Sequence, residues 1–377
     1  MLSLQWLCGG GKFFPAMLDA IAAARHSVEL EIYIYANDET GRHFLDALTR
    51  SARSGVRVRV LADAYGSFML SKSFFEPLIK AGGEIRFFNP LRFSRFGVRN
   101  HRKLLICDQQ TAFLGGANIC DCHQGDGTTQ GWFDLMARIE DADLAGRLAD
   151  EFEQTYANAD FAHGRFRRLR AFRSFRRRTD ETQIFAVRPG RGAGSFQRAL
   201  HRDLAQARAA DFIVPYFLPS RKFRKLLRQI VQRGGRMRLL LPAHCDVPLA
   251  RAAGLIYYPR LLRAGVEIYE YQPQILHAKL CVVDEKVFAG SSNLDVRSFN
   301  MNYELMVRLT DPAAVAGAQE IFSEALKHSR RIELETFSRT QNFWERWKNY
   351  WAHFLVARVD PVLGLRQINP NLPPADN

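Results

Sequence analysis

The sequence predicts an α/β fold built twice: two similar mixed sheets flanked by helices, related by a pseudo-twofold axis and sharing one site. Three observations predict it. Strand-like apolar runs alternate with amphipathic helical runs along the chain, the pattern of a sheet covered by helices. The punctuation repeats, with Gly55 matched by Gly234 179 residues on, Gly82 by Gly265 183 on, and His101 by His277 176 on. A near-constant offset of that kind marks an internal duplication. The pattern H-x-K-x-x-x-x-D also occurs twice, as His101-Arg-Lys103 through Asp108 and as His277-Ala-Lys279 through Asp284.

Composition bounds the partners. The chain has 377 residues, 47% of them hydrophobic, and a formal charge of +14. That excess points to an anionic partner, a nucleic acid or an acidic membrane surface. No apolar run reaches the roughly 18 to 20 residues of a membrane-spanning helix, and residues 1–11 lack the basic start of a signal peptide. The catalytic body is therefore expected in the cytosol. Of six cysteines, Cys107 and Cys281 fall in apolar strand runs and read as core residues. Cys120 and Cys122 lack a second ligand pair at zinc-finger spacing. Nothing demands a disulfide, which fits a reducing compartment.

In chain order, Phe14, Met17, Leu18 and Ile21 fall at helical spacing within 13–26. Val28 to Tyr35 is a β-branched and aromatic strand. Asp38 and Glu39 open a helix that Gly55 ends. A strand over 56–62, a helix over 73–81 stopped by Gly82-Gly83, and a strand over 85–88 lead through a basic, aromatic loop to the first motif. The second half repeats the plan: helix 196–209, strand 212–217, helix 222–232, strand 237–241, helix 250–264, strand 267–271, then the second motif. Ala81-Gly82-Gly83-Glu84-Ile85 matches Ala264-Gly265-Val266-Glu267-Ile268.

Each motif reads as a strand buried on both faces, with His and Lys two apart on one face. A small-residue turn follows each. Asn118 in Gly115-Gly116-Ala117-Asn118 lies 17 residues after His101, and Asn293 in Gly290-Ser291-Ser292-Asn293 lies 16 after His277. A single such histidine is more often a satisfied core residue. Two at matched spacing, each followed by the same turn, are not.

Between the halves, 165–178 holds eight arginines in fourteen residues and no acid. Its density suits a solvated linker, and its interleaved Phe166, Leu169 and Phe172 suit a segment lying on anionic lipid. The tail places Phe343, Trp344, Trp347, Tyr350, Trp351, Phe354 and Leu355 at helical spacing. That is either a helix packed on the second half or a membrane-interface helix. The expected division is a first domain at 1–164, a basic linker at 165–180, a second domain at 181–330, and an aromatic and basic tail at 331–377 with a disordered end.

These repeats resemble the duplicated HKD motif of the phospholipase D superfamily. Glu29-Leu-Glu31-Ile-Tyr-Ile-Tyr35, Phe87-Phe-Asn-Pro90, Asn100-His-Arg-Lys-Leu104, Pro215-Tyr-Phe-Leu-Pro219 and Asn293-Leu-Asp-Val-Arg-Ser298 are similar to stretches of the bacterial cardiolipin synthases, over about residues 13 to 330. The resemblance implies two phospholipase D-like domains and transfer of a phosphatidyl group to a hydroxyl of phosphatidylglycerol. Many of those enzymes carry two N-terminal transmembrane helices; with no such run here, the chain is expected to be of the shorter, peripheral type, on the cytoplasmic face of the cell membrane.

The chemistry needs no metal or other cofactor. One imidazole attacks phosphorus and forms a phosphohistidine, while the other protonates the leaving alkoxide and later deprotonates the acceptor. Lys103 and Lys279 neutralise the phosphoryl oxygens, and Asn118 and Asn293 donate amide hydrogens to them. Analogy to two-motif members makes His101 the nucleophile and His277 the acid/base. Asp108 and Asp284, at the strand ends, are expected to be structural members of the motif. Asp134 and Glu304, 33 and 27 residues after the histidines of their own halves, are the expected orienting carboxylates. The expected partner is an anionic phospholipid membrane, with no obligatory protein partner. Alternatives are a phospholipase D that releases phosphatidic acid, a nuclease of the same superfamily, and a membrane scaffold with a dead site. The nuclease is disfavoured because small nucleases of this type usually carry one motif per chain.

Overall fold

A computed structural model of the chain describes residues 3–90, 97–160, 174–176, 182–189 and 194–356. The first half builds a seven-stranded sheet from β1 (Ser3–Cys8), β2 (Ser27–Ile32), β3 (Arg57–Asp63), β4 (Glu84–Phe88), β5 (Leu104–Cys107), β6 (Thr111–Gly115) and β7 (Leu135–Glu140), in the order β1-β7-β6-β5-β2-β3-β4. Helices α1 (Gly10–Ala23), α2 (Glu39–Arg53), α3 (Glu76–Lys80) and α4 (Ala142–Ala157) flank it. Asp38 caps α2 by accepting the Gly41 N–H at 2.9 Å, which satisfies one of the orphan donors of a helix start.

The second sheet has nine strands: β8 (Ser174–Arg176), β9 (Thr182–Val187), β10 (Ala209–Ile213), β11 (Arg236–Pro242), β12 (Glu267–Tyr271), β13 (Leu280–Val283), β14 (Lys286–Gly290), β15 (Glu304–Leu309) and β16 (Ser329–Arg331). Its inner order, β15-β14-β13-β10-β11-β12, repeats β7-β6-β5-β2-β3-β4 strand for strand. In both sheets the motif strand runs antiparallel to the strand beside it, against β2 in one and β10 in the other. Beyond that neighbour the strands run parallel. The mixed, duplicated α/β architecture is therefore as the sequence predicts. Helices α5 (Ser195–Gln206), α6 (Arg221–Gln232), α7 (Pro248–Leu255), α8 (Tyr258–Leu262), α9 (Val296–Asn300), α10 (Pro312–Lys327), α11 (Leu334–Thr340) and α12 (Phe343–Phe354) complete the described chain. The single helix expected over 250–264 is two, α7 and α8. Pro259 sits in the first turn of α8, where its missing N–H costs nothing.

Leu104 and Ile106 of β5 meet Leu280 and Val282 of β13 in one shared core, with Phe152 of α4 and Phe322 of α10. The alternate residues of the same strands serve the two outer cores, Leu105 and Cys107 on one side and Cys281 and Val283 on the other. That is why both motif runs are apolar at every position. The core also ties the halves together, helped by Trp6, whose indole N–H donates to the Ala314 carbonyl at 2.9 Å.

Most of the arginine-rich run lies outside the described residues. Of 165–178 only Ser174–Arg176 is described, as a short strand paired with β9. The tail beyond 356 also lies outside them. Among the described residues no helix is long and apolar enough to cross a membrane.

Candidate active site

His101 and His277 do not sit on their strands. Both strands begin only after the lysines, at Leu104 and Leu280. The main-chain N–H groups of the histidines are committed elsewhere: that of His101 donates to the Tyr303 carbonyl at 2.9 Å and that of His277 to the Phe133 carbonyl at 2.8 Å. Tyr303 belongs to the second half and Phe133 to the first. Each motif is thus clamped by the opposite half, and this corrects the expectation of a continuous strand through the histidine. The two clamps form one cleft, a cavity of about 350 Å³ lined in part by Tyr33, His101, Asn118, Trp132, His277 and Asn293.

The carboxylates are crossed in the same way. Asp134 Oδ2 lies 2.6 Å from His277 Nδ1, and Glu304 Oε2 lies 3.1 Å from His101 Nδ1. The sequence reading paired each carboxylate with the histidine of its own half. The structure reverses both pairings, because the residues entering β7 and β15 reach across the pseudo-twofold axis. Both carboxylates are fully buried.

Their electrostatics differ. Burial pushes the Glu304 carboxyl up to about 7, against Lys103 and the Ser291 hydroxyl, which donates at 2.5 Å. Burial pushes Asp134 up as well, but His277, Lys279 and His123 outweigh it and hold the group well below the usual carboxylate range. Burial, then Lys103, Lys279 and His277, hold His101 well below the ordinary histidine value. Burial and Lys279 lower His277, and Asp134 opposes them. Lys103, 1% exposed, is lowered by burial and by Lys279. Burial brings Lys279 down to about 8. Each lysine donates to the carbonyl of its own motif histidine. Two ammonium groups close enough to repel each other, under a cleft of this size, form a site for an anion.

Asn118 accepts the Ile34 N–H through Oδ1 at 3.2 Å, which commits its oxygen to the backbone. The Asn293 side-chain oxygen has no hydrogen-bond partner among the described residues. The structure does not bring Asp108 and Asp284 to the cleft. Asp108 accepts N–H groups from Arg25, His26 and Ser27 at 2.7–2.9 Å. Asp284 accepts them from Arg208 and Ala209 at 3.0 and 2.8 Å. Both tie the end of the motif strand to the start of the strand beside it, from left-handed conformations with φ of 54° and 49°.

Other groups in or behind the cleft carried no role in the sequence reading. Arg102, the variable residue of the first motif, is fully buried. It lies 3.8 Å from Glu31 and 3.7 Å from Glu151. Buried Asp63 accepts the Asn100 N–H at 2.7 Å and so fixes the residue before His101. Tyr216, whose hydroxyl donates to Asp246 at 2.7 Å, also lines the cleft. Buried His123 stands 3.3 Å from Asp134 Oδ2 with its ring 5.2 Å from that of His277. Burial lowers it to about 3. Its only sequence signal was its place shortly after the Asn118 turn.

Among the described residues two groups have ligand atoms close enough for a metal ion, all within 4.8 Å of one another: His123, Asp134 and His277, and Cys120, Cys122 and His123. In the first, Asp134 and His277 already bond each other. In the second, Cys120 and Cys122 are joined in a disulfide. Nothing in the sequence demanded that bond, and the expectation is corrected here: a tight 3-10 turn at Asp121–His123 folds the two sulfurs together.

The family model described as "Cardiolipin synthase, PLD-like domain" matches residues 17–156 and 200–326, one segment in each half. "Cardiolipin synthase 1" of Bacillus anthracis is 33% identical over 347 residues, covering 88% of this chain and 68% of the relative. "Cardiolipin synthase" of Clostridium perfringens is 31% identical over 341 residues, covering 87% and 71%. Among solved structures, a phosphatidylserine synthase of Haemophilus influenzae superimposes with a TM-score of 0.74 at 15% identity, covering 96% of this chain and 95% of that one, a likeness of fold. A match across both halves, joined to two H-x-K motifs that meet in one cleft, places the chain in the cardiolipin synthase family of phospholipase D-like enzymes.

Proposed function

We propose that the protein is a phosphatidyltransferase that makes cardiolipin, moving a phosphatidyl group through a phosphohistidine to the free glycerol hydroxyl of phosphatidylglycerol. The observation that carries this reading is the crossed arrangement of His101–Glu304 and His277–Asp134 above two mutually repelling lysines. A phosphodiester bound between Lys103 and Lys279 offsets their repulsion and raises both histidines. His101, held neutral, is the nucleophile. Its Nδ1–H faces the Ser291 carbonyl and Glu304, both at 3.1 Å, which leaves the other ring nitrogen for phosphorus. His277, whose proton is favoured by ionised Asp134, gives it to the leaving alkoxide as the P–O bond breaks and the P–N bond forms. The acceptor hydroxyl then returns a proton to His277, and its oxygen displaces His101 from phosphorus. The lysines, with the amide groups of Asn118 and Asn293, balance the charge that builds on the phosphoryl oxygens.

The enzyme works at the surface of an anionic membrane, peripherally and on its cytoplasmic face, where anionic lipid attracts a chain of net charge +14. Support comes from α12. It rests on the second half through Asn349 and Ala352 and turns its aromatic side outward, with Trp344 71% and Tyr350 62% exposed. A helix packed by its aromatics would do the opposite. Phe68 and Met69, after β3, and Val247 and Leu249, after β11, add exposed apolar tips at matching places in the two halves.

Product analysis on phosphatidylglycerol vesicles, with and without phosphatidylethanolamine, tests the reading beside His101→Ala and His277→Ala. Cardiolipin from the wild type alone supports it. Phosphatidic acid in its place would make water the acceptor and the enzyme a phospholipase D.

A further inference from the structure

Away from the cleft, α6 and α8 enclose a second cavity of about 260 Å³, lined by Arg221, Arg224, Arg228, Tyr257, Arg260 and Leu261. Four guanidinium groups share it. Several partly buried arginines elsewhere in this protein have a carboxylate: Arg238 meets Asp211 at 2.6 Å and Arg188 meets Glu151 at 2.7 Å. Here, among the described residues, none of the four makes an ion pair. Arg224 donates to the Pro219 carbonyl at 2.5 Å and stacks over the Tyr257 ring at 4.4 Å, and Arg228 reaches only the Arg224 carbonyl at 3.4 Å. Burial pulls the Arg224 guanidinium below its ordinary value, and Arg221, Arg260 and Arg228 repel it further. Like charges gathered around a concave, aromatic-floored space without a counter-charge are held ready for an anion. Planar forks suit the oxygens of a phosphate.

The location names the source of that phosphate. Tyr257, the floor of the cavity, bonds His353 of α12 through its hydroxyl at 2.7 Å, with the rings 5.5 Å apart. The cavity therefore adjoins the helix whose aromatic side is unburied. Val356, just past that helix, lines the catalytic cleft. We propose that this four-arginine cavity binds the phosphodiester headgroup of an anionic phospholipid that is not the substrate, seating α12 in the membrane beside the cleft. The assignment rests on the reading of the protein as one that works on a lipid surface.

The test is vesicle sedimentation of the full chain on phosphatidylglycerol/phosphatidylcholine vesicles against phosphatidylcholine alone. Arg224, which braces the loop before α6, is left in place. Arg221→Gln/Arg228→Gln/Arg260→Gln is expected to weaken binding about 10²-fold, from roughly a factor of five per surface arginine. The triple Arg→Lys variant at the same positions keeps the charge and loses the forks, and is expected to weaken binding about tenfold. An unchanged Lys variant would mean a diffuse basic surface and overturn the site. Gln and Lys variants that bind vesicles like the wild type, but lose inorganic phosphate in calorimetric titration, would assign the cavity to free phosphate and overturn the lipid. A wild type that ignores anionic vesicles would overturn the surface reading and the site together, whereas normal vesicle binding by all three proteins overturns the site alone.

Discussion

The two halves share a strand order but differ in their local electrostatics, and the difference sits at three matched positions. Gly116 in the first half stands where Ser291 stands in the second. A side chain at Gly116 would meet Asp134 Oδ1 at 2.2 Å, so glycine there leaves room for the carboxylate that serves His277. Ser291 instead donates its hydroxyl to Glu304, the carboxylate that serves His101. One carboxylate stays ionised among cations, and the other is carried up to about 7 by burial. The variable residue of the motif differs too. Arg102 is locked between Glu31 and Glu151, while its counterpart Ala278 is simply core. Duplication supplied two equal frames, and small differences at the turn and in the motif give the two histidines unlike surroundings, which is what the proposed division between attack and proton transfer requires.

The comparison breaks most sharply at the histidines themselves. His101→Ala and His277→Ala each should cost at least about 10³-fold in turnover, since each removes a reacting group. Only His277→Ala should accumulate a phosphatidyl–protein adduct in a rapid-quench experiment with radiolabelled phosphatidylglycerol. An adduct on His101→Ala would exchange the two roles.

Carboxylate replacement comes next. Asp134→Asn removes a charge that favours the imidazolium, and should lower kcat by about 10² to 10³-fold. Glu304→Gln should stay within about tenfold, because the amide imitates a carboxyl that is largely protonated below pH 7. The same raised value has a stability consequence with a definite sign. A folded-state value of about 7 for Glu304, above the unfolded one near 4.3, makes the native state hold the extra proton. Stability from this group therefore falls as pH rises between those limits. Thermal melts should show Glu304→Gln gaining on the wild type from pH 5 to pH 8, and a constant difference would contradict the raised value.

Arg102→Ala should destabilise the fold by about 3–5 kcal/mol by leaving buried carboxylates without their cation. Ala278→Gly, at the matched position, should cost nearer 1 kcal/mol. Denaturant melts separate the two, and similar losses would argue against the Arg102 network. Asp108→Ala and Asp284→Ala carry the smallest effect. Each loses hydrogen bonds to backbone N–H groups remote from the cleft, for about 1–3 kcal/mol, with turnover of the folded fraction nearly unchanged.

Much of this architecture was legible in the chain. The repeat offset, the Gly55, Gly82, Gly234 and Gly265 stops and the apolar motif runs gave two matching sheets, because strand burial and helix termination are local properties with fixed periods. All four of those glycines have φ between 80° and 92°, the conformation that makes glycine the favoured stop. Boundaries near the site were less legible. His101 and Lys103 alternate like strand residues, yet their strand starts later, because the backbone partner of His101 lies in Tyr303, some two hundred residues on.

By itself the sequence determined the fold class, the duplication, the two histidine–lysine motifs and the aromatic face of α12. The tertiary structure alone decided that the carboxylates cross between halves, that Arg102 is buried while Arg221 and Arg260 meet no acid among the described residues, and that α12 turns its aromatics outward. The physical reason is that pattern reports what a residue does along the chain. Burial, repulsion and hydrogen-bond partners depend on which distant segment stands opposite, and in this protein that segment belongs to the other copy of the repeat.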